Sequence, residues 1–159
     1  MKFNRLGNSD LQVSDVCLGT MTWGIQNTQQ DADEQMAFAL DKGVNFVDTA
    51  EMYPVPPNVD TYGDTERIIG NWISRNEAKR SDIVLMTKIA GSGLKYIRNA
   101  GPITADAIAN ALTYSLERLK TDYIDVYQLH WPNRVTPHFG KHWPDGADPT
   151  KTSREKELD

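Results

Sequence analysis

The chain has 159 residues, 39% of them hydrophobic and 25% charged, which is the make-up of one globular domain with a real core. A net charge of -5 without a long basic run excludes a nucleic-acid surface as the main function. Cys17 is the only cysteine, which excludes an intrachain disulfide and suits a reducing compartment; the polar start MKFNRLGNSD is unlike a signal peptide, and no window approaches the roughly 18 apolar residues of a membrane helix, so a cytoplasmic protein is expected.

Lys2 to Val13 predicts a small hairpin, with Gly7 and Asn8 suited to its turn. SDVCLGT predicts a short strand ending at Gly19, with Cys17 as a small buried strand residue. Asp31 and Glu34 have the spacing of a capping box. The helix they open would bury Ala32, Met36, Ala39 and Leu40 and stop at Gly43. VNFVD predicts a second strand. After a proline-rich loop, GDTERIIGNWISRN is helical, with Ile69, Trp72 and Ile73 on one side. DIVLMTK predicts a third buried strand. The glycine-containing segment GSGLKYIRNAG has no Walker spacing and reads as a flexible loop. Then ITADAIANALTYSLERLKTD repeats apolar residues at helical spacing, from Ile108 to Leu119, and YIDVYQLH predicts a fourth strand.

A hairpin followed by β-α-β-α-β-α-β implies an α/β fold with right-handed crossovers and a parallel sheet. From Trp131 onward four prolines interrupt the chain, which reads as a long loop, until Thr152 and Glu155 open an apparent helix that stops after about one turn.

Strand residues alternate between faces. Asp48, Lys88 and His130 each lie at the C-terminal tip of a strand and on the same parity as Phe46, Met86 and Gln128. Singly, such residues turn the chain, reach water or pack. Three of them on matching tips, with Tyr53 five residues beyond Asp48, point to a site at the edge where parallel α/β sheets bind ligands. A phenol with its ordinary pKa of ~10 exchanges protons poorly near neutrality. A neighbouring ammonium is expected to lower that value, and a carboxylate to hold the ammonium. An imidazole could orient a carbonyl oxygen while the phenol protonates it. No side chain supplies hydride, so a nicotinamide cofactor is implied.

LGTMTWG at the first strand, GVNFVDTAEMY at the second, LMTK at the third and SLERLKTDYIDVYQLHWP through the fourth resemble the aldo-keto reductases, which are NADP(H)-dependent oxidoreductases on a (β/α)8 TIM barrel. EMYPVPP and HWP are similar to the bacterial Tas-type branch. The resemblance implies reduction of small aldehydes and ketones. It makes Tyr53 the general acid, Lys88 and Asp48 the pair that tunes it, and His130 the group that orients the carbonyl. It also sets Thr20, Met21, Gln26 and Asp48 against the nicotinamide and ribose of NADPH. Because such a barrel needs roughly 250 residues, the chain is expected to be its N-terminal half, a single partial domain over 1–159 with residues 131–159 as a long loop leading to a truncated helix. Little activity is expected of it alone. The alternative is a non-catalytic half barrel that self-associates through open sheet edges or serves as a binding subunit.

Two other features stay open to a bland reading. His130, His138 and His142 invite a metal, but Pro137, Gly140 and Pro144 break the helix that would align the last two, so none is expected. Trp23, Trp131 and Trp143 could line an apolar substrate rim or simply pack their loops.

Overall fold

The computed structural model describes residues 1–133. The apparent helix at Thr152 and Glu155, together with Trp143, His138 and His142, lies outside the described residues. Strands β1 (Phe3–Arg5) and β2 (Gln12–Ser14) form the antiparallel hairpin. Strands β3 (Cys17–Gly19), β4 (Phe46–Asp48), β5 (Val84–Ile89) and β6 (Val126–Leu129) form one parallel sheet in that order. Helices α1 (Gln29–Asp41), α2 (Asp64–Arg75) and α3 (Ala105–Leu119) occupy the three crossovers. Among the described residues, no helix is long and apolar enough to cross a membrane.

The start of α1 differs from expectation. Its N-cap is Thr28, whose hydroxyl accepts from the Asp31 amide while Asp31 returns its carboxylate to the Thr28 amide at 2.7 Å. Asp31 is thus the partner in the capping box and not the cap. The earlier start brings Gln29 into the helix, where its amide reaches the Ile68 carbonyl and its oxygen accepts from Asn71, tying α1 to α2. Gly43 follows the helix at φ 78°, a conformation that glycine adopts without strain.

The core lies between the sheet and its helices. Val47 and Leu85 from the strands meet Met36 of α1, Ile69, Trp72 and Ile73 of α2, and Leu119 of α3. By alternation, Phe46, Asp48, Met86, Lys88 and Val126 face the opposite side. Cys17 follows that parity and is exposed on edge strand β3, not buried as expected, because no described element covers that side of it. Partial desolvation with the Asp48 carboxylate nearby still pushes its thiol up to about 11, against the opposing pull of Lys88.

The C-terminal end of helix α3 comes close against helix α2 at Gly70, where a β-carbon would collide with the Arg118 carbonyl oxygen and come within 2.9 Å of the Leu119 carbonyl carbon. Backbone cannot yield as a side chain can, so Gly70→Ala should cost about 1–3 kcal/mol of stability. Gly19→Ala, with nothing within 4 Å of the added carbon, should stay within about 0.5 kcal/mol. Urea denaturation of the two variants checks both values.

Candidate active site at the C-terminal edge of the sheet

Register brings the strand tips together. In the β4–β5 pairing Asp48 stands opposite Met86, so Lys88 projects from the same face two residues further on. Its ammonium lies 2.5 Å from Asp48 Oδ1 and donates to the Thr49 carbonyl at 2.8 Å. The carboxylate contact is an ion pair without directed hydrogen-bond geometry. Asp48 is braced from β3 as well, because the Thr20 amide and hydroxyl both donate to its backbone carbonyl, at 3.1 and 2.7 Å. In the β5–β6 pairing Lys88 stands opposite Gln128, and His130 continues the ladder by donating its amide to Ile89.

Tyr53 reaches the same place from the loop after β4. Its ring is 5.6 Å from the His130 ring in an edge-on arrangement, and the Lys88 ammonium sits 5.0 Å from its centroid. Its amide donates to Ala50 and its carbonyl accepts from Gly63, so the backbone is held on both sides. Asp48, Tyr53, Lys88 and His130 therefore form one cluster.

The electrostatics correct one expectation. Burial, reinforced by the Asp48 carboxylate, pushes the Tyr53 phenol up to about 12 instead of down. The ammonium that was to lower it is engaged by Asp48 and the Thr49 carbonyl and lies over the ring face. Tyr53 is thus a neutral proton donor throughout the physiological range. Burial, with Lys88 adding to it, lowers His130 to about 4, so its imidazole is neutral as well.

Trp23 and Trp131 act as packing. Trp23 is enclosed in the main core with its indole donating to Gln35, and Trp131 is buried beside Ala90 and Ile97 with its indole donating to Ser92. The expected flexible loop is likewise pinned: Ile97 is buried and Arg98 pairs with Glu51. Glu51 and Arg98 escape strand parity because both lie in loops. The available signal was a carboxylate set between two apolar residues, Ala50 and Met52, each fully buried.

Of the remaining positions expected to face a cofactor, Thr20 is fully enclosed, Met21 is half exposed and Gln26 is exposed. His130 Nδ1 is enclosed and meets no hydrogen-bond partner among the described residues. An orphaned imidazole nitrogen beside a neutral phenol, with the exposed Met21 tied to the same loop by the Val55 amide, fits a carbonyl and the nicotinamide end of a dinucleotide. Among the described residues, no three His, Cys, Asp or Glu side chains gather as a metal site.

The aldo/keto reductase family matches residues 15–155. The chain belongs to that family. It is 43% identical over 153 residues to Protein tas of Escherichia coli, an alignment covering 92% of this chain and 44% of that protein. It is 37% identical over 143 residues to the uncharacterized oxidoreductase YrpG of Bacillus subtilis, covering 86% and 42%. Its fold superposes on the holo form of aldo-keto reductase AKR11C1 from Bacillus halodurans with a TM-score of 0.66 and 34% identity, over 81% of this chain and 40% of that one. The thermostable aldo-keto reductase Tm1743 gives 0.63 at 28% identity, over 86% and 45%. The chain thus spans less than half the length of the curated relatives it matches, and its sheet and helices are part of a (β/α)8 barrel.

The His130 environment has a measurable consequence. The folded chain holds the imidazole neutral down to about 4, whereas the unfolded chain protonates it near 6.5. Its contribution to stability is complete above 6.5 and is lost as pH falls from 6.5 towards 4. NMR titration should show no protonation of His130 between pH 8 and pH 5 (about 1.5 units above its unfolded value to about one above its folded value). His130→Asn should flatten the fall in stability across the same window.

Proposed function

We propose that the chain supplies the catalytic half of an NADP(H)-dependent reductase of small aldehydes and ketones. The observation that carries this reading is the convergence of a neutral phenol, a neutral imidazole and an ammonium–carboxylate pair at one edge of the sheet. When bound, the nicotinamide supplies the hydride. His130, held neutral, donates a ring N–H to the carbonyl oxygen and so orients it. Tyr53 donates its proton to that oxygen as negative charge develops on it. The Lys88 ammonium, 5.0 Å from the ring centroid, is the cation that faces the phenolate so formed, and Asp48 keeps that ammonium in place. Met21 and Gln26, both exposed, and the open side of Asp48 are the groups available to the nicotinamide and ribose. NADPH as the cofactor and a cytoplasmic setting belong to the same proposal.

Because the chain spans less than half of its relatives, little turnover is expected from it alone. A chimera that joins residues 1–133 to the second half of the Bacillus halodurans reductase should oxidise NADPH with an aldehyde panel. Tyr53→Phe in that chimera should lower kcat by about 10²–10⁴-fold with cofactor binding retained. Undiminished turnover in Tyr53→Phe would sink the assignment.

A second reading is favoured by one observation. Among the described residues β3 and β6 each have an unpaired edge, and Leu129 on β6 is exposed. Such edges invite strand pairing, and two copies could approximate an eight-stranded barrel. Sedimentation velocity should then show a dimer, and a well-folded monomer across the accessible concentrations counts against it.

A further inference from the structure

Glu51 is fully enclosed, yet it belongs neither to the catalytic cluster nor to a strand. Its backbone amide donates to the Lys88 carbonyl at 3.1 Å, and its Oε1 accepts from the Ala90 amide at 2.5 Å. One residue of the β4–α2 loop thus grips β5 on either side of Ile89. The carbonyl of Ile89 in turn accepts the His130 amide at 2.9 Å. Tyr53 stands two residues along the same loop. The grip is closed from outside by Arg98, whose Nη1 lies 2.8 Å from both carboxylate oxygens and whose Nη2 donates to the Ala90 carbonyl at 2.6 Å. The Tyr62 hydroxyl adds a bond at 3.2 Å.

The arginine arrives by an unfavourable path. Arg98, Asn99 and Ala100 have φ of 46°, 53° and 61°, three consecutive left-handed residues without a glycine. Such backbone persists only where its surroundings over-determine it, and it concentrates at functional sites.

We propose that Glu51, latched by Arg98, is the positioning residue that sets Tyr53 against Lys88 and His130. This rests on the reductase reading of the cluster, in which all three must be in register. Neither Glu51 nor Arg98 touches the reacting atoms. Their action runs through the loop carrying Tyr53 and through the strand bearing Lys88 and paired to His130. A void of about 300 Å³ beside the latch, lined by Tyr62, Tyr96, Asn110, Tyr114 and Arg118 as well as the pair, leaves room for the arginine to swing away once the carboxylate is lost.

The reporter is the His130 titration, followed by NMR on the 159-residue chain with Glu51→Gln and the charge-conserving Arg98→Lys. Loosening the Tyr53 loop hydrates the imidazole, so its pKa should rise from about 4 towards 6.5 in both variants. Removing a carboxylate would, by direct charge alone, move an imidazole the other way. A rise in Glu51→Gln therefore reports geometry. Near-UV circular dichroism identifies folded samples, and Arg98→Lys, which keeps the charge but loses the two-pronged grip on Glu51 and Ala90 at the more accessible partner, serves if Glu51→Gln does not fold. A folded variant in which His130 still titrates near 4 overturns the proposal. The titration needs neither cofactor nor turnover, so it stands apart from the reductase assignment. In the active chimera the same variants should lower kcat by about 10²-fold with KM little changed, the mark of misplaced groups. An equal kcat with an unmoved titration would remove the latch and leave the reductase reading intact.

Discussion

The parallel register of β4 against β5 is the constraint on which the site depends. With Asp48 opposite Met86, the side chain two residues later on β5 meets the Asp48 carboxylate from the same face. A shift of one residue would turn Lys88 into the helix-covered core, because strand side chains alternate with a period of two. The cost of enclosing an ammonium there is met by the carboxylate and by the Thr49 carbonyl together. With those two partners in place, the phenol and imidazole can sit around Lys88 uncharged.

A similar economy recurs behind the sheet. Glu66, fully enclosed on α2, accepts from Thr87 of β5 at 2.6 Å and from Arg118 of α3 at 2.6 Å. Arg80 is buried between Asp125 and the carbonyls of Ile83 and Tyr123. Buried ion pairs add little net stability, since desolvation offsets much of the attraction, but losing one partner leaves a costly lone charge. The first pair joins α2 to α3, with β5 tied in through Thr87, and the second joins the segment before β5 to the one before β6. They penalise misassembly of the layers more than they strengthen the correct one, which suits a fold whose chemistry needs strand tips aligned to within an ångström or so.

Much of the fold was legible because burial periodicity is local. The stripe Ala32, Met36 and Ala39, the set Ile69, Trp72 and Ile73, and the alternation through VNFVD and IVLMTK all correspond to elements in the structure. The helix boundary at Asp31 failed because two capping boxes compete there, and the bonds from Gln29 to α2 favour the earlier one. Cys17 failed because its strand pattern reveals which face it takes and not whether anything covers that face.

Three chemically apt residues on matching strand tips, with a tyrosine five residues beyond one of them, were determined by the sequence alone, since strand parity follows from the backbone. Their protonation states were decided by the tertiary structure. Spacing suggested that Lys88 would lower the Tyr53 pKa, but burial and Asp48 raise it and burial lowers His130, because desolvation depends on every atom packed around a group and not on its neighbours in sequence. The roles of Glu51 and Arg98 were decided in the same way. Forty-seven positions apart along the chain, they meet only when the two loops close over the end of β5.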